Sequence, residues 1–213
     1  NHRSLAKHRE VSKRLALTEG IGEEEARLLA AAGKAVVWID GGLHASETLG
    51  AQQLGEMVYQ MVSRTDQETE RFLNDCIILF VHANPDGHDL VADWYMRTTD
   101  PARRSSAGLP RLYQKYVGHD NNRDMYMFTQ KESVLTARLM WHDWFPVIWL
   151  DQHQMGSGGA RIFVMPATDP INPNVHPLIY RWNGLFGQAQ GAALEAAGKD
   201  GIIYNSTYTN FWQ

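Results

Sequence analysis

A single cysteine in 213 residues, Cys76, excludes any disulfide within the chain and leaves the compartment open. Its place in the apolar run Cys76-Ile-Ile-Leu-Phe-Val81 reads as a small buried side chain and not a reactive thiol. No apolar run approaches the roughly 20 residues that span a bilayer. Basic charge is not in excess either: 20 Lys and Arg stand against 24 Asp and Glu, for a net charge of −4 and a pI near 6.1. A general field for nucleic acid is therefore absent. The chain also lacks the Gly-x-Ser-x-Gly elbow that would frame a serine nucleophile. Gly156-Ser-Gly-Gly159 lacks the Lys-Ser/Thr ending of a phosphate loop and reads as a flexible turn. There is no internal repeat and no low-complexity linker. What remains is 44% hydrophobic and 21% charged, the composition of an ordinary globular protein with a sizeable core, read as one domain over residues 1–213. Asn1-His-Arg-Ser offers no initiator methionine or signal peptide and Asn210-Phe-Trp-Gln213 no closing element, so a piece of a longer polypeptide is expected.

Hydrophobic periodicity alternates between two kinds of segment. Residues 2–17 and 22–32 have helical spacing, the second with three acids in its first turn. The β-rich run Ala35-Val-Val-Trp-Ile-Asp40 ends at the Gly41-Gly42 turn, and a helix is expected from about Ser46 to Ser63. A two-side-buried strand over 76–83 is closed by the turn residues Asn84-Pro-Asp-Gly87, with a loop from Asp89 to Asp120. A helix near Gln130–Trp144 precedes a third strand, Val147–Asp151. A strand at Arg161–Met165, a helix around Leu178–Ala197 and a short strand at Ile202–Tyr204 complete the series. Strands alternating with helices imply a three-layer α/β/α sandwich with a mostly parallel or mixed central sheet.

In such sheets ligands collect outside the carboxyl edge of the strands, and His44, Asn84–Gly87 and His153 all fall there. His44-Ala-Ser-Glu47 puts an imidazole and a carboxylate three positions apart, where both can converge on one cation. With 9 His and 11 Glu, roughly half a His-x-x-Glu pair arises by chance, so the pair needs a third donor and a supporting shell. Two imidazoles and one carboxylate form a familiar ligand set for a catalytic zinc with an open coordination position. His44 alone would read as a hydrogen-bonded structural residue, Glu47 as an acid favoured by a helix N-terminus, and Asp120-Asn-Asn as a polar turn. His82 reads as a strand residue near the crevice floor and His142 as a helix-flank residue, neither on metal.

Taken together and in order, His44-Ala-Ser-Glu47, Asn84-Pro-Asp-Gly87, Asp120-Asn-Asn-Arg123 and Asp151-Gln-His153 resemble the motifs of zinc metallocarboxypeptidases of the carboxypeptidase A-like family, over roughly residues 35–165. The resemblance implies one zinc ion per chain held by His44, Glu47 and His153. It implies that Asn122 and Arg123 grip the terminal carboxylate of a peptide substrate, a task suited to the planar fork of arginine. Asp120 matches the acid that orients a ligand imidazole. Arg97, in Trp94-Tyr-Met-Arg-Thr98, corresponds to the arginine that stabilises the oxyanion, although Tyr95 and Met96 interrupt the adjacent Trp-Arg of the family and leave Arg103 and Arg104 as substitutes.

The implied activity is hydrolysis of the C-terminal peptide bond of peptides or proteins, in a secreted or periplasmic setting. The family's general base is a glutamate on a strand downstream of the third ligand. After His153 this chain has only Glu195, whose setting in Gly191-Ala-Ala-Leu-Glu-Ala-Ala197 fits a solvated helix face, so poor activity of the chain is expected. Tyr204 and Tyr208 are the available counterparts of the family's mobile tyrosine. Two alternatives stand beside this reading: a related zinc amidohydrolase or deacylase, and a zinc-binding recognition domain without catalysis.

Overall fold

A computed structural model describes residues 2–109, 116, 118–156 and 158–207 of the chain. Tyr208 lies outside them. The chain divides into two compact units, residues 1–153 and 154–213. Among the described residues no helix is long and apolar enough to cross a membrane.

The first unit begins with helices α1 (Leu5–Ala16) and α2 (Glu23–Ala32), the latter opening on Glu23, Glu24 and Glu25, whose charges favour the positive end of the helix dipole. Its centre is a three-stranded parallel sheet in the order β2-β1-β3, formed by β1 (Ala35–Gly41), β2 (Cys76–His82) and β3 (Ile148–Gln152). Val36, Trp38 and Ile39 of β1 are buried, as expected of a strand covered on both faces, whereas β2, expected to be buried on both sides, has Ile77 buried and its other residues half-buried. Cys76 opens β2 half-buried, its thiol pushed up by that burial.

The two faces of β1 can be assigned from the alternation of its side chains. On the Val37/Ile39/Gly41 face lies α3 (Thr48–Ser63), so close that a Cβ built on Gly41 would stand 2.7 Å from the Gly50 backbone. On the Trp38/Asp40 face lies α6 (Lys131–Arg138). There Ser133 and Thr136 share with Trp38, Asp40 and Trp149 the wall of a cavity of about 40 Å³. Helices therefore cover both faces, which is the three-layer α/β/α arrangement expected from the alternating pattern.

Several elements differ from the sequence reading. Residues 67–75 form a helix, α4 (Gln67–Asp75), where no element was assigned; the Asp66 side chain starts it by accepting from Thr69 N–H at 3.1 Å. The loop expected from Asp89 begins instead as α5 (Pro85–Met96). Asn84-Pro-Asp-Gly87, read as a strand-ending turn, is a helix start: Asn84 caps it by accepting from Gly87 N–H at 3.0 Å, and Pro85 takes the first helical position, where its missing N–H costs nothing. The helix expected over 130–144 is α6 followed by a π-helical turn, Leu139–Trp144, that ends at Phe145 in left-handed backbone. His142 lies exposed in that turn.

The second unit holds a two-stranded parallel ladder of β4 (Ile162–Phe163) and β5 (Ile202–Ile203), with α7 (Pro177–Ala196) between them in sequence. The strand expected over Arg161–Met165 is shortened to the two residues that find a partner in β5. Glu195 is exposed in the last turn of α7.

Two glycines of the first unit should respond oppositely to alanine. Gly41→Ala forces a methyl group against backbone and is expected to destabilise the protein by about 1–3 kcal/mol. Gly55→Ala, on the exposed side of α3 with open space around it, should stabilise by about 0.5–1 kcal/mol. Urea unfolding of both variants measures the contrast, and a Gly41→Ala protein as stable as the parent would contradict the close β1–α3 approach.

Candidate metal centre

Parallel pairing aligns the ends of β1 and β3 in the register Gly41↔Gln152, and His44 and His153 follow those aligned ends by three residues and by one. Strand order reverses here: β2 pairs with one side of β1 and β3 with the other, which creates the crevice where open α/β sheets place their ligands. The two imidazole centroids lie 4.7 Å apart, close to the spacing of neighbouring strands.

Glu47 reaches the same point through a turn, not a helix. Its N–H donates to the His44 carbonyl at 3.0 Å, closing a four-residue turn, and α3 begins only at Thr48. The helix expected from Ser46 starts two residues later because Glu47 keeps a non-helical ψ of 64°. Gly42, at φ +74°, lets the chain leave β1 toward this turn in a conformation that side-chain-bearing residues rarely adopt.

The Glu47 carboxylate divides its oxygens between the two rings: Oε1 is 2.8 Å from His44 Nδ1 and Oε2 is 2.9 Å from His153 Nδ1. The opposite ring nitrogens meet aspartates, His44 Nε2 at 2.9 Å from Asp120 Oδ1 and His153 Nε2 at 2.9 Å from Asp151 Oδ2. One ligand atom from each of His44, Glu47 and His153 can be chosen so that all three lie within 4.8 Å of one another. In the tautomer that gives each Nε2 proton to its aspartate and leaves Nδ1 deprotonated, the two Nδ1 atoms and the Glu47 oxygens form a donor set that fits a divalent cation such as zinc.

Asp120 is held by the 3₁₀ turn Asn121–Arg123, where its Oδ1 also accepts from Asn122 N–H at 2.9 Å. The Asn122 amide nitrogen stands 3.0 Å from His153 Nε2. Arg123 is exposed and donates from Nη1 to the Asn122 carbonyl at 2.9 Å. The loop carrying these residues is organised by Asp124, a fully buried carboxylate that accepts from the N–H groups of Thr129 and Gln130 at 3.2 and 3.0 Å. Burial opposes its charge, and bonds from Thr129, Ser133, Gln130 and His119 overcome this and hold its carboxyl well below the usual range.

Arg97 is placed differently. It is exposed at the end of α5 with its guanidinium 4.2 Å over the Trp94 ring, and no hydrogen bond or ion pair among the described residues joins it to the histidines. Arg104 donates from Nε to the Thr98 carbonyl at 3.0 Å, and Arg103 is exposed in a 3₁₀ turn. His82, half-buried at the end of β2, lies 3.1 Å through Nε2 from His88 Nδ1; burial and that neighbour lower its pKa.

Charge in the crevice is tuned by burial and by the carboxylates. Burial alone would lower His44, and its bonds to Glu47 and Asp120 reverse this, leaving its pKa raised. Hydrogen bonds to Asp151 and Glu47 push His153 up to about 10. Behind Asp151 lies Asp40, 4% exposed, whose Oδ2 accepts from the indoles of Trp38 and Trp149, the latter at 2.7 Å. Burial, then the neighbouring Asp151, pushes Asp40 up to about 7. Asp40 was not singled out in the sequence, although an acid closing an apolar strand is itself a signal, since such groups are rarely buried without a partner.

The chain matches the family model described as zinc carboxypeptidase over residues 11–157, more than half of its length. It belongs to the zinc carboxypeptidase family. The match takes in the whole sheet of the first unit and all three candidate ligands of this zinc carboxypeptidase family member. A comparison with curated proteins finds no match.

Asp40 gives the site a measurable pH response. Its unfolded carboxyl titrates near 3.8 and its folded one near 7, so between these values the native state keeps a proton that the unfolded chain has released. Stability from this group therefore falls as pH rises through that window and stays low above it. Asp40→Asn retains a neutral, hydrogen-bonding side chain and removes the titration. Between about pH 4.5 and about pH 8 it should gain roughly 1–3 kcal/mol relative to the parent in urea unfolding with a chelator present. A difference that does not change with pH would contradict the buried pair.

Proposed function

We propose that this chain holds the metal of a zinc exopeptidase that hydrolyses the C-terminal peptide bond of peptides. The observation that carries this reading is the convergence of His44 Nδ1, His153 Nδ1 and the Glu47 carboxylate, with an aspartate behind each ring. Zinc bound there supplies Lewis acidity toward water and toward a carbonyl oxygen.

The chain's own groups supply the rest. Asp120 and Asp151 fix the ring orientations by accepting the Nε2 protons. Arg123, exposed beside the crevice, offers a fork for the free carboxylate of a peptide, and Asn122 adds an amide at the same edge. Arg97, or Arg103 or Arg104 in its place, provides the cation that steadies charge on the scissile carbonyl; from its seat on Trp94, Arg97 reaches that role by leaving the indole. The one glutamate after His153, Glu195, is exposed on α7, and we assign it no part in proton transfer. Turnover by the 213-residue chain is accordingly expected to be slow.

Zinc titration against a chromogenic chelator should give one ion per chain, and Glu47→Gln or His153→Ala should weaken affinity by at least about 100-fold. A peptide with a free C-terminus should bind the zinc-loaded chain, its C-terminal amide should not, and Arg123→Ala should abolish the difference. Equal binding of both peptides, or preference for an N-acyl ligand, would replace the exopeptidase reading with that of a deacylase.

A further inference from the structure

Leu43, the residue before the first candidate ligand, has a carbonyl that receives two side-chain amides. Asn84 Nδ2 donates to it at 2.9 Å and Asn121 Nδ2 at 2.6 Å. A carbonyl oxygen has two lone pairs, and both are used here by groups arriving from different parts of the first unit. Asn84 stands just beyond β2, and Asn121 belongs to the 3₁₀ turn that follows Asp120. Both are buried, at 7% and 5% exposure, so neither bond competes with bulk water.

The Leu43 carbonyl and the His44 N–H belong to one rigid peptide plane. Fixing that plane fixes the positions of the His44 N and Cα atoms, which narrows the directions in which its side chain can leave the backbone. We infer that Asn84 and Asn121 act as a two-amide clamp on Leu43, positioning His44, and through the His44–Glu47 turn also Glu47, for the metal; the inference rests on the zinc-site reading above.

Each amide ties the clamp to another part of the site. Asn84 uses Oδ1 to cap α5 while Nδ2 holds Leu43, so the end of β2 is coupled to the ligand loop. Asn121 sits between Asp120, which meets His44, and Asn122, which meets His153. Its own Oδ1 is buried without a hydrogen-bond partner, a cost that an apolar residue would avoid, which marks Nδ2 as the useful end of the side chain.

The shared acceptor gives a distinctive energetic signature. With one amide removed, the other still holds the carbonyl; with both removed, the plane is free. Asn84→Ser keeps a capping oxygen for α5 but is too short to reach Leu43, and Asn121→Ala removes the second donor. Each single variant should weaken Zn²⁺ affinity about threefold, and the double variant by more than the product of the singles, about 30-fold or beyond. The d–d absorption of Co²⁺ bound in place of Zn²⁺ should shift in the double variant, a change that general destabilisation does not produce. Asn121→Ser serves as the second donor-removing variant if Asn121→Ala does not fold.

Amide hydrogen exchange at Glu47, measured on chelator-treated protein, separates the two hypotheses. The clamp predicts faster exchange in the double variant whether or not the parent binds zinc. Failure of the parent to bind Zn²⁺ overturns the zinc reading. Unchanged Glu47 exchange, or affinities that combine as a simple product, overturns the clamp.

Discussion

The alignment of two parallel strand ends is the constraint on which the centre depends. Because β1 and β3 pair with Gly41 opposite Gln152, the chain leaves the sheet twice at the same level, one strand spacing apart. An imidazole placed shortly after each exit is thereby delivered to a common point without any long loop to order. Hydrogen bonds along the ladder do the positioning, and the buried apolar residues of β1, Val36, Trp38 and Ile39, keep that ladder in register.

On this frame the side chains form a layered web of charge. Glu47 faces both rings from inside, Asp120 and Asp151 face them from outside, and Asp40 backs Asp151 from the sheet. So many carboxylates in a half-buried crevice are tolerable because each is bound by donors: ring nitrogens, two indoles, or backbone N–H groups. The web also explains why the ligand loop is held through backbone. Leu43 contributes no polar side chain, yet its carbonyl is where the β2 end and the Asp120 loop meet.

Local signals made the frame legible in the sequence. Apolar runs of β-rich composition marked β1, β2 and β3 to within a residue or two, and alternation with helical periodicity gave the layered α/β class. The family likewise could be read from motif order. Helix boundaries were less accessible where a residue type serves two purposes: Asn84-Pro85-Asp86-Gly87 has the composition of a turn and the geometry of a helix cap, and only the packing of α5 through Val91 decides between them. Asp40 escaped, and so did the bonds made by Asn84 and Asn121 within motifs otherwise recognised, because their partners, Asp151 and the Leu43 carbonyl, are far along the chain or are backbone atoms that no side-chain pattern encodes. Arg97 shows the opposite limit, since a matched motif fixes neither the rotamer nor the company of a long flexible cation.

One consequence of the Glu47 bridge concerns the two imidazoles themselves. Both have raised pKa values while their centroids lie only 4.7 Å apart, so the protonated forms that the carboxylates favour sit at a distance where like charges repel. The carboxylate between them acts as a counterion that cancels this repulsion and keeps the rings facing a shared centre. A cation entering that centre would meet donors already gathered, with little chain entropy left to lose.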